Sequence, residues 1–208
     1  MNKINYQKEF EKIVNTFNGH KPNLLLHSCC APCSSYVLEY LSNFFNITVF
    51  FYNPNINVET EYQKRKEEQK RFIKEFSNNE ISFIEGDYDI QEFYTAIKGD
   101  ELKGEGSIRC KKCYTFRLEK TAILAKEKKY DYFCTTLSIS PLKNSQIINK
   151  IGLTLEEKYQ IPWLKSDFKK KNGYKRSIEL SCEYSLYRQN YCGCSFSKIE
   201  SENKNREN

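Results

Sequence analysis

The stretch LLLHSCCAPCSSYVLEYLSNFF, residues 24–45, joins a short apolar run, a loop with three cysteines and a segment with helical periodicity. The run at 24–28 has the length of a buried strand, and residues 34–45 space their apolar side chains for one helix face. Ser34 or Ser35 is expected to cap that helix, because a hydroxyl accepts hydrogen bonds from the free N–H groups of a first turn. The stretch therefore predicts a strand, a cysteine loop and a helix, in that order.

The same alternation continues along the chain. Further strands are predicted where β-branched and aromatic residues end at a turn, at 47–54, 81–88 and 130–137. Further helices are predicted from apolar periodicity at 4–18, 58–79, 111–129 and 177–189. Strands that alternate with helices indicate βαβ units, and so an α/β fold with a mostly parallel sheet flanked by helices. Because sites in such sheets lie beyond the carboxyl ends of the strands, we expect the cysteine loop at that edge.

Composition and length indicate one folded domain. We expect a single α/β catalytic domain over residues 1–198 and a polar, disordered tail over residues 199–208. The charged start MNKINYQKEFEKIV lacks the apolar centre of a signal peptide, and no apolar run approaches the length of a membrane span. A cytoplasmic protein without a membrane partner is therefore expected. The net charge of +6 favours an anionic partner.

Nine cysteines are unusual for a chain expected in a reducing compartment, where structural disulfides are rare. The count is odd, so a complete disulfide framework could not use them all. Cys134 stands alone in YDYFCTTL and is expected to be a small buried side chain. Seven others fall into three groups, which are Cys29, Cys30 and Cys33; Cys110 and Cys113; and Cys192 and Cys194.

The number of thiols indicates what these groups bind. A structural zinc site takes four ligands, and an iron–sulfur cluster usually takes four cysteines. Seven thiolates overfill one such site and fall short of two. We therefore expect one cluster, with iron–sulfur favoured over zinc, and a second open metal or a reactive thiol set. The adjacent Cys29 and Cys30 are expected to reach two neighbouring metals.

Two further features bear on the site. Asp87 and Asp89 follow the third predicted strand and are candidates to complete an open metal site, with helix capping and solvent exposure as the alternative. No glycine-rich phosphate loop of either common form is present, so no ATP is expected at the cysteine loop.

Four motifs in order, LLLHSCCAPCSS, EGSIRCKKCYTFRLEKTA, YFCTTLSISPLKN and GYKRSIELSCEYSLYRQNYCGCSFS, resemble the QueH-type epoxyqueuosine reductases over residues 22–198. The resemblance implies a Rossmann-like (HUP-like) core and an oxidoreductase that reduces epoxyqueuosine to queuosine at the wobble position of tRNA, the final step of queuosine biosynthesis. It also implies a [4Fe–4S] cluster beside an additional mononuclear iron, without cobalamin. The implied metal ligands are Cys29, Cys30, Cys33, Cys110, Cys113, Cys192 and Cys194.

Within this resemblance, Cys33 takes a position where some family members carry aspartate as a ligand of the single iron, and a thiolate is a softer ligand. Cys182 falls outside the family's ligand motifs and is expected in the core. The catalytic candidates are Cys29, Cys33 and Asp87, and electrons are expected from a donor such as ferredoxin or flavodoxin.

The basic stretch 164–177 is expected to contact tRNA phosphates, with Phe168 and Tyr174 stacking on anticodon bases. A solvated surface loop is the alternative. The candidate RNA-binding residues are Lys143, Asn144, Lys169, Lys170, Lys171, Tyr174, Lys175 and Arg176.

Two other functions stay open at this point. One is an iron–sulfur tRNA sulfurtransferase, against which the missing phosphate loop argues, because that chemistry normally needs activation by ATP. The other is a non-enzymatic, zinc-stabilised RNA-binding module. The metal content of anaerobically purified protein separates zinc from iron.

Overall fold

The computed structural model of the protein describes residues 3–77 and 80–206. Within them the secondary-structure elements are α1 (Tyr6–Val14), β1 (Asn23–His27), α2 (Ala31–Leu41), β2 (Asn46–Phe51), α3 (Glu59–Ser77), β3 (Ser82–Glu85), α4 (Ile90–Ile97), α5 (Ile108–Glu127), β4 (Tyr132–Thr135), α6 (Ser145–Tyr159), α7 (Gly173–Glu183) and α8 (Ser195–Arg206). A one-turn 3₁₀ helix at Thr136–Ile139 follows β4. None of these helices has the length and apolar character needed to cross a membrane.

The four strands form one parallel sheet in the order β3-β2-β1-β4. β1 pairs with β2 from Asn23 opposite Asn46 to His27 opposite Phe50, and β4 lies on its other side. Leu24, the first of three consecutive leucines in β1, is fully buried like the two that follow, because helices cover both faces of a parallel sheet. The predicted α/β fold, with its parallel sheet and all four strands, is confirmed.

His27 fixes the carboxyl end of β1 to both neighbouring strands. Its ring nitrogens lie 2.8 Å from Thr135 Oγ1 and 3.2 Å from the carbonyl oxygen of Tyr52. Burial lowers the pKa of His27 to about 3, so the ring is neutral. A neutral ring with both nitrogens engaged holds the three strand ends together where the cysteine loop begins.

Helix α2 begins earlier than the sequence predicted. Its first residue is Ala31 and its N-cap residue is Cys30, so the helix starts inside the cysteine loop. The hydroxyls of Ser34 and Ser35 do not cap the helix, because they donate to the carbonyl oxygens of the preceding turn at 3.0 and 3.1 Å. Pro32 explains the early start, since its fixed φ suits a first helical turn.

A helix replaces the disordered tail predicted for residues 199–208. α8 extends to Arg206, and the last two residues of the predicted tail lie outside the described residues. The Glu200 carboxylate accepts from the Arg109 guanidinium at 2.8 Å and from the backbone N–H of Glu105 at 2.9 Å. Because Arg109 is buried, this ion pair anchors α8 to the start of α5.

Candidate metal centre

The cysteine loop leaves the carboxyl end of β1 and brings three thiols together. The Sγ atoms of Cys29, Cys30 and Cys33 all lie within 4.8 Å of one another, and those of Cys29 and Cys30 lie 3.8 Å apart. Two sulfurs bound to one tetrahedral ion at about 2.3 Å are separated by about 3.8 Å. The adjacent pair therefore has the spacing of two ligands on one ion, and its reach to two metals stays a prediction. Cys30 is extended and the helix starts at once, which turns Cys33 back toward the pair.

A second, small cavity lies between α5 and the segment 192–194. It is lined by the cysteines of the other two motifs, which together form the second group, with Cys29, Cys30 and Cys33 as the first. Cys110 and Cys113 lie one turn apart at the start of α5, and Cys192 and Cys194 flank Gly193. Gly193 has a φ of +135°, and a Cβ there would come within 2.8 Å of Ile56, so only glycine fits. This conformation lets both flanking thiols line the cavity beside α5.

A larger cavity of about 390 Å³ opens beside both groups of cysteines. Cys29 and Cys33 line it from the first group and Cys192 from the second. Its volume is in the range of small-molecule sites, which run from about 300 to 1,000 Å³. The remaining walls include apolar, aromatic and cationic side chains, namely Pro32, Ile139, Leu142, Tyr174, Tyr191, Lys143 and Arg188.

The three thiols of the first group differ in how readily each loses its proton. Hydrogen bonds from the other two thiols hold the pKa of Cys29 well below its ordinary value. Those same interactions with Cys29 raise the pKa of Cys30 to about 12 and that of Cys33 well above its usual range. Cys29 is therefore the thiol of this group that loses its proton first.

Burial favours the protonated form of three thiols of the second group. Burial raises the pKa of Cys113 to about 12 and also raises the pKa of Cys110 and Cys194. Backbone N–H groups point at two of these sulfurs, from Gly106 to Cys110 at 3.3 Å and from Ser197 to Cys194 at 3.4 Å. N–H groups aimed at sulfur are common around iron–sulfur clusters. Because metals bind thiolates, loading this site releases protons.

Lys143, which was predicted to contact RNA, lies in the wall of the larger cavity. It is 8% exposed. Burial lowers the pKa of Lys143, but its interactions with the acidic side chains of Cys192, Tyr114 and Cys29 outweigh burial and raise that pKa above its ordinary value. Among the residues that the structure describes, none accepts a hydrogen bond from Lys143 Nζ. A charged donor is therefore available to whatever enters the cavity.

The two aspartates do not join the thiols. Asp87 is exposed and lines neither cysteine cavity, because it follows β3, an edge strand two positions away from β1. Asp89 caps α4 and accepts from the backbone N–H of Gln91 at 2.8 Å, which confirms the capping alternative. The structure therefore gives no support to the prediction of Asp87 as a catalytic residue.

Several candidate RNA-binding residues have partners within the protein. Asn144 caps α6. The Lys169 ammonium donates to the carbonyl oxygen of Ser138 at 2.7 Å. Lys171 pairs with Glu11 at 2.7 Å, and Arg176 pairs with the carboxylates of Glu39 and Glu183, each at 2.7 Å.

Other members of the basic stretch face solvent. Lys170 and Lys175 are exposed, and Tyr174 is 38% exposed while also lining the larger cavity. Phe168 is 1% exposed and packs in the core, so its predicted stacking on anticodon bases is wrong. Lys170, Lys175 and Tyr174 are therefore open to an RNA, and Lys171 is also exposed although it pairs with Glu11.

The two remaining cysteines differ from each other. Cys134 is buried, and its Sγ lies 3.4 Å from both the carbonyl oxygen of Leu164 and Ser166 Oγ, as expected for a core residue. Cys182 is exposed on α7 and not in the core, because the buried face of that helix is made by Ser177, Leu180 and Ser181.

Sequence reasoning missed three buried arginines beside the thiols. Arg65, Arg109 and Arg117 are each 2% exposed or less. One available signal was that Arg117 follows Cys113 by four residues, which places both on one helix face. Arg65 lies on α3, far from any cysteine in sequence, and gave no signal.

The fold and the site together define the class of the protein. It is an α/β protein whose cysteines gather near the carboxyl ends of its parallel strands. The fold is shared by a solved structure, the U34-tRNA thiolase NcsA from Methanococcus maripaludis with its [4Fe-4S] cluster. The TM-score is 0.54 at 14% sequence identity, with 97% of this chain and 73% of that chain covered. At this identity the likeness concerns the fold alone.

The family model described as "Epoxyqueuosine reductase QueH" matches residues 24–200. A relative of that name from Streptococcus pyogenes is 45% identical over 197 residues, covering 92% of this chain and 77% of the relative. Another from Thermotoga maritima is 41% identical over 190 residues, covering 88% of this chain and 94% of the relative. The chain belongs to the QueH epoxyqueuosine reductase family, which confirms the resemblance found in its motifs.

Proposed function

We propose that the protein is an epoxyqueuosine reductase that reduces epoxyqueuosine to queuosine at the wobble position of tRNA. The observation that supports this most directly is the cavity of about 390 Å³ whose wall contains thiols from both cysteine groups. Membership of the QueH family supplies the substrate class. We further propose that residues 1–198 act as one catalytic domain in the cytoplasm.

The spacing of the thiols suggests how two metal groups are divided between them. Cys110, Cys113, Cys192 and Cys194 surround a cavity, and no three of them come within 4.8 Å of one another in the described chain. That wider set has the four thiols that a [4Fe–4S] cluster requires. The tighter set of Cys29, Cys30 and Cys33 has the spacing of ligands on a single iron.

When bound, the cluster supplies single electrons and the single iron supplies a Lewis acid. Converting the epoxide to an alkene consumes two electrons and two protons and releases water. The protein must therefore hold the departing oxygen, provide protons and limit the access of bulk water. Lys143 meets the first two needs, since its charged Nζ lies in the cavity wall and no described residue accepts a hydrogen bond from it.

The cavity also presents groups suited to a nucleoside. Tyr174 and Tyr191 line it and offer aromatic faces on which a base can stack. Arg188 is exposed at its edge, and Lys170 and Lys175 are exposed on the adjoining basic stretch. We propose that these cations contact tRNA phosphates while the wobble nucleoside enters the cavity. The electron donor is proposed to be a small redox protein such as ferredoxin or flavodoxin.

The deciding experiment incubates anaerobically reconstituted protein with tRNA that carries epoxyqueuosine and a chemical reductant. Mass spectrometry of the nucleoside digest should show queuosine formed at the expense of epoxyqueuosine. The same digest reports thiolated nucleosides, and their appearance would favour a sulfurtransferase. Zinc in place of iron and sulfide would favour a structural RNA-binding module.

A pair of variants tests the division of the cysteines. Cys33→Ala should abolish turnover while the absorption and EPR signals of the cluster persist, because Cys33 belongs to the tighter set. Cys113→Ala should lose those cluster signals. Cys182→Ala is the matched control, since Cys182 is exposed away from the site. Full activity of Cys33→Ala would contradict its assignment to the second metal.

A further inference from the structure

Arg117 is a buried cation that has no carboxylate partner among the described residues. Its side chain is fully buried on α5, where its Nη2 donates to Asn53 Oδ1. Its Nε and Nη1 are buried and have no hydrogen-bond partner among the described residues. A guanidinium in this position is costly unless negative charge nearby compensates it.

The acidic side chains near Arg117 are cysteines of both groups. Burial lowers the pKa of Arg117, but its interactions with Cys113, Cys29 and Cys192 outweigh burial and raise it. Cys113 belongs to the wider set and Cys29 to the tighter set. The guanidinium therefore lies close to both sets at once.

Hydrogen bonds also connect Arg117 to the cysteine loop. Asn53, which accepts from Arg117, donates through its Nδ2 to the carbonyl oxygen of Ser28 at 2.8 Å. Ser28 is adjacent to Cys29 in the chain. The guanidinium on α5 thus reaches the loop after β1 through one intermediate side chain.

Two other arginines repeat the arrangement around the site. Burial lowers the pKa of Arg65 and of Arg109. Interactions with Cys30 raise the pKa of Arg65, and interactions with Cys194 and Cys110 raise that of Arg109, so both values lie above the ordinary one. Each has one buried nitrogen without a hydrogen-bond partner in the described chain. Unlike Arg117, each also has a carboxylate partner, Glu61 for Arg65 and Glu200 for Arg109.

We propose that Arg117 is a positioning residue that provides fixed positive charge between the two cysteine sets and thereby raises the reduction potential of the cluster. The inference rests on the proposed function, because it assumes that the wider set holds the cluster. Seven thiolates carry more negative charge than a cluster core and one ferrous ion cancel, so the loaded site is anionic. Reduction adds another negative charge, and a cation in a low-dielectric interior stabilises that state.

The test compares two variants of the reconstituted holoenzyme. Arg117→Gln keeps a donor for Asn53 and removes the charge, whereas Arg117→Lys keeps the charge and removes the guanidinium fork. The midpoint potential, measured by EPR-monitored redox titration, should shift to more negative values in Arg117→Gln. It should stay close to wild type in Arg117→Lys. Arg71→Gln is the matched control, because Arg71 pairs with Glu68 and Glu75 on α3, and none of its hydrogen bonds in the described part of the chain goes to a cysteine.

Every other outcome has a defined meaning. Loss of iron and sulfide in Arg117→Gln alone would support the proposal, since assembly would then need the charge. An unchanged potential in Arg117→Gln would overturn it, as would equal shifts, or equal loss of iron, in both variants. These readouts need no substrate. A wild-type protein that carries the cluster but does not convert epoxyqueuosine would refute the proposed function and leave the effect of Arg117 measurable.

Discussion

Replacing Lys143 by methionine is the sharpest test of the cavity chemistry. The substitution removes the charge and the donor while keeping a flexible chain of similar length. Lys143 is 8% exposed, and its Nζ has no hydrogen-bond acceptor among the described residues. Methionine can therefore pack in place of the lysine side chain, and we expect the fold and the cluster to persist.

The size of the effect follows from the position of the ammonium group. In a site sheltered from water, the loss of one oriented donor to a developing oxyanion costs about 10²–10³ in kcat, equivalent to about 3–4 kcal/mol. The cavity is partly sheltered and has other cations near its edge, so we expect a loss toward the lower end, about 10²-fold. KM for the tRNA should change little, because Lys143 lies inside the cavity and the phosphates lie outside it.

The assay is single-turnover conversion of epoxyqueuosine in tRNA, followed by mass spectrometry, on protein whose iron and sulfide content matches wild type. Lys170→Met is the matched control, because Lys170 is exposed outside the cavity; it should raise KM and leave kcat unchanged. A kcat of Lys143→Met within about threefold of wild type, with the cluster intact, would refute the role of Lys143 as donor.

Three further predictions concern the rest of the molecule. Gly152→Ala places a methyl group 2.2 Å from the Trp163 ring. The free energy of unfolding, measured by urea denaturation, should therefore fall by about 1–3 kcal/mol. An unchanged midpoint would contradict this packing. Burial raises the pKa of Cys134 from 9.0 to about 12, and the folded chain keeps a proton that the unfolded chain loses. Stability should therefore fall by about 1.4 kcal/mol per pH unit as the pH rises through this window, and Cys134→Ala should lack that contribution to the slope; parallel pH profiles would argue against it. Iodoacetamide should label the exposed Cys182 and spare Cys134 in the native protein, and comparable labelling of both by mass spectrometry would be the contrary result.

The amino-acid sequence was sufficient to predict the class of fold and to single out the candidate metal ligands. The apolar run of β1, the early strand–loop–helix stretch and the alternation that follows predict a parallel sheet from local periodicity alone. The C-x-x-C at Cys110 and Cys113 and the C-x-C at Cys192 and Cys194 predict a shared site, because the spacing of thiols along the chain is itself a local property. These features depend on neighbours a few residues apart, which sequence displays directly.

The arrangement of charge around the thiols was decided by tertiary packing. Asp87 was a candidate for the metal site because it follows a predicted strand, but the strand order places that strand, β3, two positions from β1. Lys143 was predicted to contact RNA, and the turn after β4 buries it beside three cysteines. Arg65 and Arg117 approach the same centre from different helices, α3 and α5, and no local pattern records that both are buried. Burial depends on which segments meet in space, and so the environment that controls each thiol exists only in the folded protein.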